Sequence, residues 1–245
     1  MHEELRALLA QMPDEQRVRV AGRDFWQGHL HGRPVVAVLS RIGKVAAATT
    51  ATVLIERFGV GAIVFTGVAG GLGQGVNVGD VVVATELLQH DLDASPIFPR
   101  YEVPLVGLAR FPADPAIGDA LAAVAQQALR DPVALVGQAA VDAFGLRAPQ
   151  VHRGLLLSGD RFVSTAAESD ALRRDLPDAL AVEMEGAAMA QVCHDYGVPF
   201  AAVRTISDRA DDTAHADFAR FVAEVASRYS LALVDAWLAA SSAAT

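Results

Sequence analysis

One α/β domain, built on a mixed, mostly parallel central sheet flanked by helices, is the architecture this sequence predicts, and three observations carry it. The chain has 245 residues and is 52% hydrophobic, enough to enclose one large core. Apolar runs of strand length alternate with longer runs at helical spacing, the pattern of a parallel sheet covered on both faces. No repeat, low-complexity tract or linker interrupts residues 1–245, so a single domain is expected over all of them.

Taken in order, Met1 to Ala10 carries acidic residues and no uninterrupted apolar stretch, so it reads as a short amphipathic helix and fails as a secretion signal. Three β-like runs, Arg17–Val20, Asp24–His31 and Pro34–Leu39, are separated by Ala21-Gly22 and His31-Gly32, which predicts an antiparallel meander. A helix over Lys44–Phe58 is bounded by Gly43 and Gly59. Gly61–Thr66 is a short strand running into the glycine-rich turn Gly67-Val-Ala-Gly-Gly71, and Asp80–Thr85 is another strand, followed by the proline-bearing segment His90–Pro104. Asp114–Arg130 has helical spacing; His152–Leu157 and Ala179–Val182 are strands; Met184–Tyr196 is a helix, Pro199–Ile206 a strand, and Ala216–Ala240 a long terminal helix.

Composition excludes several function classes. A net charge of −9 without a Lys/Arg cluster argues against a nucleic-acid partner. No run of about eighteen apolar residues is present to span a membrane. Cys193, the only cysteine, rules out disulfides within the chain and makes a cysteine metal site implausible, which points to the cytoplasm and to no metal.

In such folds ligands lie beyond the carboxyl ends of the strands. Thr66–Leu72, Ser158–Ser164, Glu183-Met184-Glu185 and Arg204–Asp208 are all polar or glycine-rich directly after an apolar run. Gly67-Val-Ala-Gly-Gly71 lacks the spacing of a dinucleotide fingerprint; it reads as a tight turn or as close approach to a ligand. Asp208 is either the N-cap of a following helix or a site carboxylate, and Phe162 either a lid over the core or a platform for a flat ligand. Acidic residues near a helix start interact well with its unpaired N–H groups, which accounts for one of Glu183 and Glu185. It accounts less well for both, since buried carboxylates need a partner or a task.

Together, "SRIGKVAAA" (Ser40–Ala48), "TGVAGGL" (Thr66–Leu72), "VGDVVV" (Val78–Val83), "SGDRFV" (Ser158–Val163), "AVEMEGAAMAQVC" (Ala181–Cys193) and "VRTISDRAD" (Val203–Asp211) resemble the 5′-methylthioadenosine/S-adenosylhomocysteine nucleosidases of the nucleoside phosphorylase superfamily. The resemblance runs from Met1 to about Ala239. It implies hydrolysis of an adenine nucleoside at the N-glycosidic bond, without a cofactor, by a homodimer. It implies that Asp208 gives a proton to adenine N7 and that Glu4 activates the attacking water. Glu185 would hold the ribose hydroxyls, Met184 pack under the sugar and Glu183 line the base of the site. Phe162 would stack on the purine, the Val163 backbone read its edge, Phe218 close over the 5′-substituent, and Arg204 help hold the water and the acidic cluster; Ser207 belongs to the same strand exit.

Three departures stand out. Relatives carry an apolar strand before the methionine that matches Met1, so about seven apolar and glycine residues are expected upstream. Val68 replaces a serine or threonine that contacts the carboxylates, and Arg41 replaces a glycine. Arg33 and Arg41 raise a second reading, a phosphate-dependent phosphorylase. Phe65 stands where those relatives put their main phosphate-binding arginine, which favours water. Two further readings stay open: a futalosine-type nucleosidase, with the same chemistry on a larger 5′-group, and a non-catalytic nucleoside-binding or storage protein.

Overall fold

The computed structural model describes residues 2–211 and 218–242. Helix α1 (His2–Leu9) leads into β1 (Gln16–Val20), β2 (Arg23–Leu30) and β3 (Arg33–Val38), the expected antiparallel meander, which forms a sheet of its own. Both turns hold two residues at positive φ (48° and 72°, then 50° and 73°), the hairpin geometry whose twist matches that of the strands. Helix α2 (Lys44–Phe58) ends at Gly59, whose φ of 62° makes the left-handed cap.

The remaining elements are β4 (Ile63–Gly71), β5 (Val81–Gln89), β6 (Arg110–Pro112), α3 (Pro115–Ala128), α4 (Pro132–Val136), α5 (Gln138–Phe144), β7 (Val151–Ser158), α6 (Ala166–Asp175), β8 (Ala179–Glu183), α7 (Gly186–Tyr196), β9 (Phe200–Asp208), α8 (Phe218–Phe221) and α9 (Ser227–Ser242). The terminal helix predicted over Ala216–Ala240 is broken by a π-helical turn at Val222–Ala226, which buries Val222, Val225 and Ala226; Ala216 and Asp217 lie outside the described residues. Strand β4 continues through the glycines predicted to form a turn, with a bulge between Ala69 and Gly70.

The second sheet is mixed: β4–β9, β5–β7 and β7–β8 are parallel, while β4–β8, β5–β6 and β5–β9 are antiparallel. Its pairings run from β5 through β7, β8, β4 and β9 back to β5, so the sheet curls into a ring rather than lying open. Helices pack around it, with one core between α2, α7 and the sheet and another between α3, α9 and the sheet.

Strand β9 pairs along one edge of β4 from Ile63 to Gly70, and β8 reaches the other edge only at Gly70 and Gly71. Strand β3 pairs with β2 alone among the described strands. Residues 33–39 and 63–70, consecutive on both strands, line one cavity of about 1550 Å³. Side chains alternate between faces along a strand, so an unbroken run of lining residues means that the edges of β3 and β4 face this space.

Candidate active site

The carboxyl ends of β4, β8 and β9 and the loop after β7 converge on that cavity. Glu183, Met184, Glu185, Arg204, Ser207, Asp208, Val68, Phe162, Val163, Phe218 and Glu4, the residues expected from the sequence, all line it.

Glu183 ends β8 and is 7% exposed. Its Oε1 accepts from the Ser158 hydroxyl and from the Gly186 N–H at 2.9 Å. Its Oε2 accepts from the N–H groups of Glu185 (3.1 Å) and Gly186 (3.0 Å) and from Arg204 Nη2 (2.9 Å). Glu183 is therefore the cap of α7, satisfying N–H groups that a helix start leaves unpaired. Ser158 Oγ accepts in turn from the Ala187 N–H at 2.8 Å. Arg204 donates to the carbonyls of Phe65 (2.9 Å) and Val203 (3.2 Å), with its guanidinium carbon 3.9 Å from the Phe65 ring centroid. Gly67 is called for by its backbone, at φ 154°, and not by space, since a Cβ there would stand at an ordinary 3.5 Å from Arg204 Nη1. The Glu183–Arg204 side chains are 3% and 2% exposed, a buried pair whose charges compensate each other.

Glu185 differs. It occupies the N-cap position of α7 without capping it. Its Oε1 accepts from the N–H of Gly43, at the start of α2, at 2.8 Å. Burial, and then the charge of Glu183, push its pKa up to about 7, against the opposing pull of the Gly43 N–H and Arg204. Near neutral pH this carboxyl exists in both protonation states.

Asp208 ends β9 and is 8% exposed. Oδ1 accepts from the Ala210 N–H at 2.8 Å and Oδ2 from the Ser207 hydroxyl at 2.7 Å. Gly70 lets β4 pass close by, for a Cβ there would stand 2.9 Å from Asp208 Oδ1. Ser207 Oγ also lies 3.5 Å from the Ala69 carbonyl, a second acceptor for its proton.

Phe162 is 40% exposed at the cavity mouth and meets Phe218 edge to face, centroids 6.2 Å apart at 80°. Val163 beside it is buried. Glu4 reaches the cavity from α1, 8% exposed, with Oε1 accepting from Ser230 of α9 at 2.7 Å. The Arg41 guanidinium donates back to the Gly22 carbonyl. Among the described residues, no group of three His, Cys, Asp or Glu side chains is placed to hold a metal ion, and no helix is long and apolar enough to cross a membrane.

Sequence reasoning does not single out Ser158, Gly43 or Ser230. Ser158 opens the Ser158–Val163 motif and Gly43 stands at a helix start, whereas Ser230 has no local signal in an ordinary amphipathic helix.

Residues 1–239 match the model of the phosphorylase superfamily. The chain is 37% identical over 227 residues to the 5′-methylthioadenosine/S-adenosylhomocysteine nucleosidase of Anoxybacillus flavithermus, covering 92% of this chain and 90% of that one. It is 38% identical over 237 residues to the nucleosidase of the same name from Chromohalobacter salexigens, covering 96% and 92%. The fold superimposes with a TM-score of 0.84 on the Neisseria meningitidis nucleosidase of that name solved in complex with methylthio-immucillin-A, at 34% identity over 98% of this chain and 96% of the other.

Proposed function

This chain belongs to the phosphorylase superfamily and, within it, to the 5′-methylthioadenosine/S-adenosylhomocysteine nucleosidases, and from that premise we propose that it hydrolyses the N-glycosidic bond of these two nucleosides, releasing adenine and a 5′-thioribose. The observation that carries the reading is a single cavity in which Asp208, Glu185 and Glu4 meet.

Cleavage of the C1′–N9 bond leaves an oxocarbenium-like sugar and an adenine anion, so the site needs an acid at the base, negative charge at the sugar and an activated water on the opposite face. Asp208 is the acid towards N7. The Ser207 hydroxyl, which has the Ala69 carbonyl as a second acceptor, would turn towards it when Asp208 carries the proton. Glu185, with Oε1 on Gly43, offers its second oxygen to the ribose hydroxyls. Met184 lies under the sugar, Phe162 stacks on the purine beside the Val163 backbone, and Phe218 closes over the 5′-group. Glu4, held by Ser230, is the base for water. Arg204 acts through Glu183, which it pairs with and holds in place, and Val68 contributes apolar wall where a hydroxyl is dispensable. Phe65 supports water over phosphate as nucleophile, because its ring lies under Arg204 and offers no anion a contact. Adenine release from 5′-methylthioadenosine and S-adenosylhomocysteine in phosphate-free buffer tests the proposal; a strict phosphate requirement with formation of a sugar 1-phosphate would overturn it.

The proposal extends to assembly, to the amino-terminal side of α1 and to a cytoplasmic address, the last resting on Cys193 as the sole cysteine. Ile42, Val45, Ile97 and Leu105 are exposed by 78%, 80%, 82% and 93%, which supports a homodimer covering them; a fully active monomer in light scattering would refute it. A leading strand between β3 and β4 is supported by the cavity, which exceeds the roughly 300–1,000 Å³ of ligand sites and is lined by two strand edges. A form of the protein extended upstream should then unfold at higher temperature and turn over faster; no gain on extension contradicts the strand.

A further inference from the structure

Glu185 is aimed by a backbone N–H, and that N–H belongs to a turn with no side chain to hold it: Gly43 sits at φ 94° and ψ 158° before α2 and supplies no cap. The turn is held from outside. Asp160, in the loop after β7, accepts the Lys44 N–H on Oδ1 at 2.7 Å. The same oxygen would stand 3.1 Å from a Cβ at Gly43, so the turn rests directly on this carboxylate. Asp160 is fixed in turn by Asp91, which follows β5: the Asp160 N–H donates to Asp91 Oδ2 at 2.8 Å. Lys44 Nζ donates to Asp91 Oδ1 at 2.6 Å and lies 3.9 Å from Asp160 Oδ2. Burial pushes the Asp91 carboxyl up, but Lys44 and the Asp160 N–H outweigh it and hold it below the usual carboxylate range. Two residues beyond Asp160 the same loop carries Phe162.

We propose that Asp160 is a positioning residue for the sugar subsite: its carboxylate, tied to Lys44 and Asp91, seats the Gly43 turn so that the Gly43 N–H meets Glu185. The inference rests on the nucleosidase reading, in which Glu185 meets the ribose. It links two halves of the ligand, since one short loop then presents the ring for the base and sets the carboxylate for the sugar. A role confined to capping α2 would stabilise the helix and leave ligand discrimination alone.

The test compares Asp160→Ala and Asp160→Asn with the parent protein, reading kcat and KM for 5′-methylthioadenosine and the dissociation constant of free adenine. Asp160→Ala should raise the nucleoside KM roughly tenfold, with adenine affinity kept within about twofold. Asp160→Asn, whose amide oxygen still accepts the Lys44 N–H, should recover most of the loss. An unchanged KM in Asp160→Ala overturns the proposal, and so does equal weakening of nucleoside and adenine, which marks general loosening. Should Asp160→Ala fail to fold, Asp91→Asn carries the same test one bond further out. If the parent protein releases no adenine, hydrolysis is the reading that fails, and the nucleoside's dissociation constant, measurable because nothing turns over, replaces KM.

Discussion

Glu183 on the floor of the cavity and Glu185 on its rim are separated by one methionine, yet the protein leaves them in opposite states. Every acceptor direction of Glu183 is taken up by Ser158, Arg204 and the N–H groups at the head of α7. Glu185 accepts the Gly43 N–H and has its pKa pushed up to about 7, first by burial and then by the charge of Glu183. The floor is a buried polar network whose members satisfy each other; the rim groups, Glu185, Asp208 and Phe162, are the ones proposed to meet the ligand. A fully bonded floor charge serves the rim by its field, because it cannot move and cannot be neutralised by a ligand. Residue type alone therefore does not mark a functional carboxylate. What its surroundings do to its proton affinity does.

The largest expected effect breaks the rim. Asp208→Asn keeps the shape but has no carboxylic proton to give, so kcat should fall by roughly 10²–10⁴-fold while free adenine still binds. Steady-state kinetics beside adenine calorimetry check both halves, and a loss under tenfold would remove Asp208 from the acid role.

Breaking the floor comes next. Arg204→Met leaves Glu183 buried without its counter-charge, which costs about 3–5 kcal/mol of stability. Denaturant unfolding should register that loss, along with a fall in activity. Full activity with native stability would mean that the floor is not needed to shape the rim.

How much of this is legible in the sequence follows the same division. The rim residues fall at positions the sequence singles out: Glu185 and Asp208 are carboxylates directly after apolar strands, each with capping as its competing reading, and Phe162 is an aromatic in a strand-exit loop. Capping does explain one of the two glutamates, but the sequence does not say which, because helix α7 starts at Gly186 instead of Met184. Only the start at Gly186 puts the Glu183 side chain on the N–H groups. The partners from distant segments, Gly43, Ser158 and Ser230, lie 142, 25 and 226 positions away from the carboxylates they serve. No local pattern encodes such pairings. Among the elements, the meander and the main helices follow from turn residues and periodicity. Helix α6 escapes that reading although Thr165 and Glu168 form a capping box at its start. The closure of the sheet through β5 and β9 depends on β9 being long enough to pair on both sides, which its apolar pattern alone does not reveal.

A smaller effect concerns stability. A carboxyl whose pKa is raised on folding contributes stability that is complete below its unfolded value, 4.5, and is lost as pH rises through about 7. The ligand-free protein should therefore lose on the order of 1–3 kcal/mol between those values through this group. Glu185→Gln should flatten that slope and leave the variant more stable than the parent at pH 8, while weakening nucleoside binding. Thermal unfolding across pH reads the slope directly, and parallel curves for the two proteins would contradict it.

Burial together with a fixed charge on the floor raises the pKa of the rim carboxyl, and this is tested most simply by titrating the Glu185 side-chain carbon by NMR, in the parent protein and in Glu183→Gln. The midpoint should lie near 7 in the parent and clearly lower in the variant. A midpoint near 4.5 in the parent, or one that Glu183→Gln leaves where it was, would contradict it.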